Sequence, residues 1–549
     1  MIEKLNNLMK KAQADAFLLH NKDEYFSDYP HESKQRLKWL CGFTGTNGTV
    51  IVTKEGKSPF FTDGRYTLQA SYEIDLNIYE IFDISKKTPW QWAKENLQQN
   101  STLAYPISLF TLNQIRKYEG VCVLKPLDDN PIDGLWNRPL ATKQKVINYP
   151  LQYSGKSSKQ KCLDVAKTIN KQDAVLLTNS ESISWLLNIR NNNFLYNPVV
   201  LSYAILYGDG HVDLFTEDSS FEFELDEHVN TLDINSLSNV LNKIDLIITD
   251  PETVPMRIMK LLDGKSIMEA KDLCALPKAI KNATEIQGAI NAHIRDGAAV
   301  TNFLNWLEAN IDKGVTELEA EEKLLEFRQK QSLFKSLSFP TISAFAENGA
   351  VIHYRTNKKT NKRIEKNGLY LIDSGGQYLD GTTDVTRTIT IGIPSSVQID
   401  NYTRVLKAHI EVARAIFPSG TTGRELDILA RMHLWQAGLD YSHSTGHGVG
   451  SYLAVHEGPH AIAKGNNIPL QPGMILSNEP GYYKPGEYGI RIENLMYVEE
   501  KKEGFLGFKQ LTCVPYDKRL INYNLLTQDE INWINEYHSF VDKTIQKIT

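Results

Sequence analysis

Between residues 369 and 493 the chain repeatedly ends apolar, β-branched stretches in an acidic residue, and this restricts the fold more than any other feature. Leu369–Ile372 runs straight into Asp373. Gly375 and Gly376 supply a turn, and Thr382–Ile391 reads as a β-branched strand carrying Asp384. Paired as a hairpin, these strands bring two carboxylates eleven positions apart close together. Like charges held that way repel, so the pair needs a cation or a shared proton. HSTGHGVG then presents His443 and His447, with glycines that let backbone approach closely. Met474–Ser477 leads to Glu479, where Pro480 ends the strand. In Gly489–Asn494 alternation puts Arg491 and Glu493 on one face. Asp373, Asp384, His447, Glu479 and Glu493 together make a candidate ligand set for two divalent ions. Carboxylate oxygens suit Mn²⁺ and Mg²⁺ and can bridge a pair of them.

Each piece alone has a plainer alternative. Asp373 and Asp384 could be a turn aspartate and a surface aspartate. A lone histidine is more often surface or satisfied core than a ligand. Arg491 with Glu493 could be a surface ion pair, or Arg491 could orient a ligand carboxylate from behind.

The rest of the sequence sets bounds. At 549 residues the chain exceeds one ordinary core. Lys and Arg nearly balance Asp and Glu, giving a net charge of −6. Nothing in that balance points to nucleic acid or to a membrane surface. The N-terminal stretch has helical apolar spacing and lacks a signal-peptide core, and no run approaches a membrane span. Cys41, Cys122, Cys162, Cys274 and Cys513 are dispersed without a CxxC, as in reduced cytoplasmic proteins. The expected location is cytoplasmic.

The expected fold class is α/β (α+β). Residues 1–150 read as one α/β domain: a helix over 2–13, strands at Ala16–His20, Thr49–Thr53 and Pro59–Thr62, and Arg65 in TDGRY. A linker is expected over Asn130–Leu140. Residues 151–279 repeat the style, with strands at Ala174–Leu177, Val199–Ile205, Val212–Phe215 and Leu246–Thr249, and a helix over Ser180–Ile189. The likeness hints at duplication. Residues 280–549 open with a long helix through Ile280, Ile286, Ile290 and Ile294. Capping boxes at Thr316–Glu319 and Thr422–Glu425 start two more, the second ending at Gly438.

The order Asp, Asp, His, Glu, Glu makes the sequence familiar. It resembles the pita-bread metallopeptidase superfamily, and within it the three-domain, cytosolic-type Xaa-Pro aminopeptidases. The resemblance runs through WLCGFTGTNG and FFTDGRYTLQA, ISWLLNIR and NPVVLSYAIL, LIDSGGQYLDGTTDVTRT, STGHGVGSYLAVHEGP and NEPGYYKPGEYGIRIENL, to LTCVPYDKRLI. It implies two related creatinase-like domains ahead of a pita-bread catalytic domain. It also implies two divalent ions per subunit, most often Mn²⁺, and a homodimer formed through the catalytic domain.

By the same resemblance Asp373 chelates one metal, Asp384 and Glu493 bridge both, and His447 and Glu479 hold the other. His353 shuttles a proton near the substrate, His456 contacts the scissile carbonyl and His443 lines the substrate pocket. Arg65 holds bound peptide. The implied reaction removes the first residue from peptides with proline second. A metal-bridging hydroxide attacks, and Glu479 handles the proton. Ser444, Gly376, Asn191 and Thr390 depart from the family's usual residues, but none is a ligand position. Three rivals share the fold: a prolidase restricted to dipeptides, a metal-free amidinohydrolase, and a non-enzymatic binding protein. The last two typically lose ligands that are all present here.

Overall fold

Ala16–His20 (β1) is buried at every residue and lies at the middle of a six-stranded sheet. The structure is a computed structural model that describes residues 2–170, 173–217 and 219–546. Beside β1 run Thr49–Thr53 (β2), Ser58–Thr62 (β3), Tyr79–Asp83 (β4), Thr102–Pro106 (β5) and Val123–Leu127 (β6), in the order β4-β3-β2-β1-β5-β6. β1–β2 and β2–β3 are antiparallel and the other three pairings parallel. Central strands such as Val50–Val52 are buried on both faces, which is why they read as continuous apolar runs.

A second sheet repeats the pattern. Ala174–Leu177 (β7), Ser202–Tyr207 (β8), Val212–Thr216 (β9), Val229–Asp233 (β10), Leu246–Thr249 (β11) and Ser266–Glu269 (β12) lie in the order β10-β9-β8-β7-β11-β12. Every pairing has the sense of its counterpart in the first sheet. The duplication hinted at in the sequence is thus present in topology. Both sheets fall in one compact unit, residues 1–149, 156–193 and 199–274.

Three local expectations shift here. The helix at Ser180 stops at Leu186, because Asn188 takes a left-handed φ of 51° and Ile189–Asn191 continues as a strand. The strand expected at 199–205 runs over Ser202–Tyr207. The expected linker begins inside the core: Pro131–Gly134 is a 3₁₀ turn with Ile132 fully buried, and Asp133 accepts from the Arg36 guanidinium at 2.7 and 2.9 Å.

The second unit comprises residues 150–155, 194–198 and 275–549. Its long helix, Ala283–Asn310 (α1), starts at a capping box of Asn282 and Glu285, so Ile280 lies outside it. Its buried face is not purely apolar. Asp296 is buried because Arg328 donates to it at 2.8 and 3.1 Å and the Tyr378 hydroxyl at 2.9 Å. Gly288 lets α1 approach the turn at Leu379–Asp380: a Cβ there would stand 2.2 Å from the Asp380 carbonyl oxygen. Glu317–Gln329 (α2), Ser396–Ala413 (α3) and Gly423–Trp435 (α4) each begin at a capping box, and Gln528–Ile545 (α5) closes the chain. After α4 the chain turns through Gly438 at φ +71°.

The strands lie among these helices. Ile342–Phe345 (β13), Gly368–Ser374 (β14) and Val385–Ile391 (β15) form one antiparallel sheet. Ile416–Pro418 (β16), Gly446–Gly448 (β17), Glu457–Ile462 (β18), Ile475–Asn478 (β19), Asn494–Lys502 (β22) and Phe505–Gln510 (β23) form another, ordered β16-β23-β22-β19-β17-β18. Gly481–Lys484 (β20) and Tyr488–Arg491 (β21) pair as a hairpin.

Candidate metal centre

The acidic residues occupy strand ends, where side chains escape the ladder but the backbone is still fixed. Asp373 lies in β14 opposite Thr386 of β15, and Asp384 immediately precedes β15. The strand expected over 382–391 is therefore broken at Thr383–Asp384. His447 is in β17, Glu479 follows β19, and Glu493 sits between β21 and β22. The alternation expected across 489–494 is likewise interrupted after Arg491, yet both Arg491 and Glu493 are buried. Glycine brings two of these strands together: a Cβ on Gly446 would lie 1.9 Å from the Ser477 carbonyl oxygen.

The side chains converge. Ligand atoms of Asp384, His447 and Glu493 lie within 4.8 Å of one another. His447 Nε2 is 3.6 Å from Asp384 Oδ2 and 3.4 Å from Glu479 Oε1. His447 Nδ1 donates to the Gly448 carbonyl at 2.9 Å, which turns Nε2 toward the carboxylates. Thr386 Oγ1 donates to Glu493 Oε2 at 2.7 Å, and Ser477 Oγ to Glu479 Oε1 at 3.1 Å. Asp373, Asp384 and Glu493 are buried, whereas His447, Glu479 and His456 keep part of their surface exposed. The centre thus has an acidic floor and a more open side of imidazole and Glu479.

Around the floor a relay of polar contacts runs outward. Arg491 donates to Asp373 Oδ2 at 2.5 Å and to the Tyr483 hydroxyl at 2.7 Å, and that hydroxyl meets His443 Nε2 at 2.8 Å. The rings of His456 and His447 pack edge to face, 4.4 Å between centroids. His353 is half-buried in the turn after the 3₁₀ helix Ala346–Ala350. Gly349 of that helix lies against Gly489 of β21, where a Cβ would stand 1.8 Å from the Gly349 carbonyl oxygen. Arg65 belongs to the first unit, where its guanidinium takes both oxygens of Asp63 at 2.8 Å.

Sequence reasoning missed Thr386, Ser477 and Tyr483. The first two had a signal: each stands two positions from a singled-out acid, as Arg491 stands two from Glu493, and strand alternation returns i±2 to one face. Tyr483 had none, since its contact with Arg491 depends on the β20–β21 register.

Electrostatics set the demand for a cation. Burial, then the charges of Asp373 and Glu479, push the Asp384 carboxyl well above its ordinary range. Burial, then Asp384, does the same to Glu493, and burial raises Glu479 against the opposing pull of His447. Among the described residues no donor reaches Asp373 Oδ1, Asp384 Oδ1 or Glu493 Oε1, all three fully buried. Buried carboxylate oxygens without donors, beside a free imidazole nitrogen, are what hard divalent ions use as ligands. The residues fit a metal centre.

Comparison with known proteins agrees. The model of metallopeptidase family M24 matches residues 288–500, and that of its C-terminal region 504–548. Two creatinase/prolidase N-terminal domain models match 1–133 and 137–285. An Xaa-Pro aminopeptidase 1 from Dictyostelium discoideum is 38% identical, aligned over 99% of this chain and 92% of its own. The chain belongs to the Xaa-Pro aminopeptidases of family M24. Among solved structures it is similar to the X-prolyl aminopeptidase of Caenorhabditis elegans, described as a cytosolic enzyme with a dinuclear active site. The TM-score is 0.93 at 33% identity, covering 100% of this chain and 96% of that one. A prolidase from Pyrococcus furiosus, 25% identical with a TM-score of 0.50, covers only 63% of this chain and 98% of its own. The Xaa-Pro aminopeptidase match thus spans the whole chain, where the prolidase match spans 63% of it.

Proposed function

We infer that this chain is a metal-dependent aminopeptidase that removes the first residue from peptides with proline in the second position. The observation that carries this reading is the cluster of Asp373, Asp384, His447, Glu479 and Glu493, in which three buried carboxylate oxygens meet no donor among the described residues. Full-length similarity to Xaa-Pro aminopeptidases supports the substrate class. On this reading the five residues hold two divalent ions, with Mn²⁺ as the native metal. Bound there, such ions would supply a water of lowered pKa and would polarise the scissile carbonyl.

The chain's own groups do the rest. Arg491 fixes Asp373, and Thr386 and Ser477 fix Glu493 and Glu479, so the carboxylates do not rotate during turnover. Glu479, on the open side, takes and returns the proton. His456, held edge-on to His447, donates to the carbonyl oxygen as charge develops there. His353 carries a proton beside the substrate, His443 lines the pocket, and Arg65 holds the peptide. A proline nitrogen in a peptide bond has no N–H, so a site for it must orient the substrate through other groups.

The domain division at 150 and 279, the cytoplasmic location and a homodimer belong to the same proposal. The neighbour described as cytosolic and five buried free cysteines support the location. Ile428, Met432 and Trp435 of α4, spaced i, i+4, i+7 and 53%, 38% and 46% exposed, support a second copy as partner. Trp435→Glu should convert a dimer to monomer in sedimentation. The central test is a peptide panel of varied length. Xaa-Pro-Yaa peptides should release Xaa, with activity lost to EDTA and restored by Mn²⁺. Cleavage of Xaa-Pro dipeptides alone would make the chain a prolidase.

A further inference from the structure

Twenty-two residues, 346–367, join β13 to β14, and His353 lies among them without a regular strand to hold it. One buried side chain gathers this segment. Glu317, at the start of α2, is fully buried. Its Oε1 accepts from the Phe345 backbone N–H at 2.7 Å and from Asn348 Nδ2 at 2.9 Å. Its Oε2 accepts from the Lys362 backbone N–H at 2.9 Å and from the Tyr354 hydroxyl at 3.1 Å. The Glu317 backbone N–H in turn donates to the Lys362 carbonyl at 2.9 Å.

This carboxylate is not needed where it starts. The N-terminus of α2 is already capped by Thr316 and Glu319 through a reciprocal pair of bonds. Among the described residues no lysine or arginine pairs with Glu317, so its burial is offset by hydrogen bonds alone, and each bond comes from a different point of the loop. Two flank the loop's first turn, one is the side chain adjacent to His353, and one lies nine residues beyond His353. The same turn is pressed against β21, the strand that carries Arg491, through Gly349 and Gly489.

We propose that Glu317 is a positioning residue that clasps the 346–362 loop and so fixes His353 relative to the metal ligands. This rests on the reading of His353 as a group beside the substrate. Glutamine at this position keeps the size but turns an N–H₂ toward backbone N–H donors, so the loop must shift.

The test is a double-mutant cycle on metal-loaded protein, with kcat and KM for an Xaa-Pro-Yaa peptide and metal content per chain as readouts. Glu317→Gln should lower kcat/KM, mostly through kcat, by up to about 100-fold, the scale of an ångström-size misplacement. Metal content should stay at the wild-type value. Tyr354→Phe, which removes one hydroxyl and leaves the fold intact, should cost roughly five- to tenfold. In a His353→Ala background both changes should cost less than about twofold more, because residues acting through one group are not additive. Full multiplication of the losses in that background overturns the inference, as does wild-type kcat/KM for folded Glu317→Gln. Should that variant not fold, wild-type kcat/KM for Tyr354→Phe overturns it. Wild-type activity of His353→Ala would instead sink the role of His353 on which the inference rests.

Discussion

The second unit contains the same ligand chemistry twice, and the two occurrences differ in what neutralises them. At the centre, Asp384, His447 and Glu493 converge, and three buried carboxylate oxygens there have no donor among the described residues. Elsewhere Glu411, His433 and Glu530, one each from α3, α4 and α5, also bring ligand atoms within 4.8 Å of one another. There Lys407 Nζ takes both Glu530 oxygens at 2.7 Å, the Thr527 N–H adds a third bond, and Arg414 pairs with Glu411 at 3.1 Å. A third acid, Glu457, is answered by Lys281 at 2.5 Å and Lys278 at 2.9 Å. Residue types and spacing do not separate a metal centre from an ion-pair network. The oxygens left over once the protein's own cations are counted do.

The sharpest way to break this contrast is Asp384→Asn. Loss of this carboxylate should remove bound metal and lower kcat/KM by about 10³-fold or more, since ion-based stabilisation is worth several kcal/mol. Metal analysis beside peptide cleavage checks it, and an active, metal-replete Asp384→Asn protein would remove the centre from that position.

Glu457→Gln tests the opposite case, an acid whose cations come from the chain. It removes the carboxylate that pairs with two buried lysines and should lower stability by about 3–5 kcal/mol, read by denaturant unfolding. The pH dependence follows from sign. The lysines hold the Glu457 carboxyl down to about 2 against the cost of burial, below its ordinary value of 4.5. Its contribution is therefore present above pH 4.5 and is lost as pH falls from there toward 2. The stability gap between wild type and Glu457→Gln should close as pH falls below about 4.5. A gap that widens in acid would mean the lysines do not stabilise the carboxylate. A smaller effect is expected from Arg491→Lys. It keeps a charge beside Asp373 but cannot also reach Tyr483 with a fork, so kcat/KM should fall about 10- to 100-fold.

How much of this could be read in advance divides along the same line. Asp373 and Glu479 were legible because each follows an apolar run that a strand would bury, and alternation marks the i±2 companions Thr386, Ser477 and Arg491. The central strands of both sheets were legible for the same reason, continuous apolar character. The partners that neutralise an acid were not. Lys281 stands 176 residues from Glu457, and Lys407 stands 123 from Glu530. No local pattern records such pairings. The same holds for Asp296, which reads as a break in the apolar face of α1 until Arg328 and Tyr378 are found beside it. Arg65 was marked only by resemblance, since its visible partner, Asp63, is two residues away.

The least disruptive prediction sharpens the comparison most. His433→Gln removes the only nitrogen ligand of the second cluster while keeping a polar side chain of similar reach. His433 Nε2 is buried, has no hydrogen-bond partner among the described residues, and lies 4.0 Å from Glu411 Oε1. Burial, then the nearby Lys407, holds this imidazole below its ordinary pKa. If cations from the chain are what distinguish this cluster, a divalent ion must displace the half-buried Lys407 ammonium from Glu530 to bind. His433→Gln should then leave metal content and kcat/KM at wild-type values and change stability by no more than about 0.5 kcal/mol. A third ion in the wild-type protein that disappears in this variant would show that an ammonium at hydrogen-bond distance does not exclude a metal, and the donor count would lose its power to tell the two clusters apart.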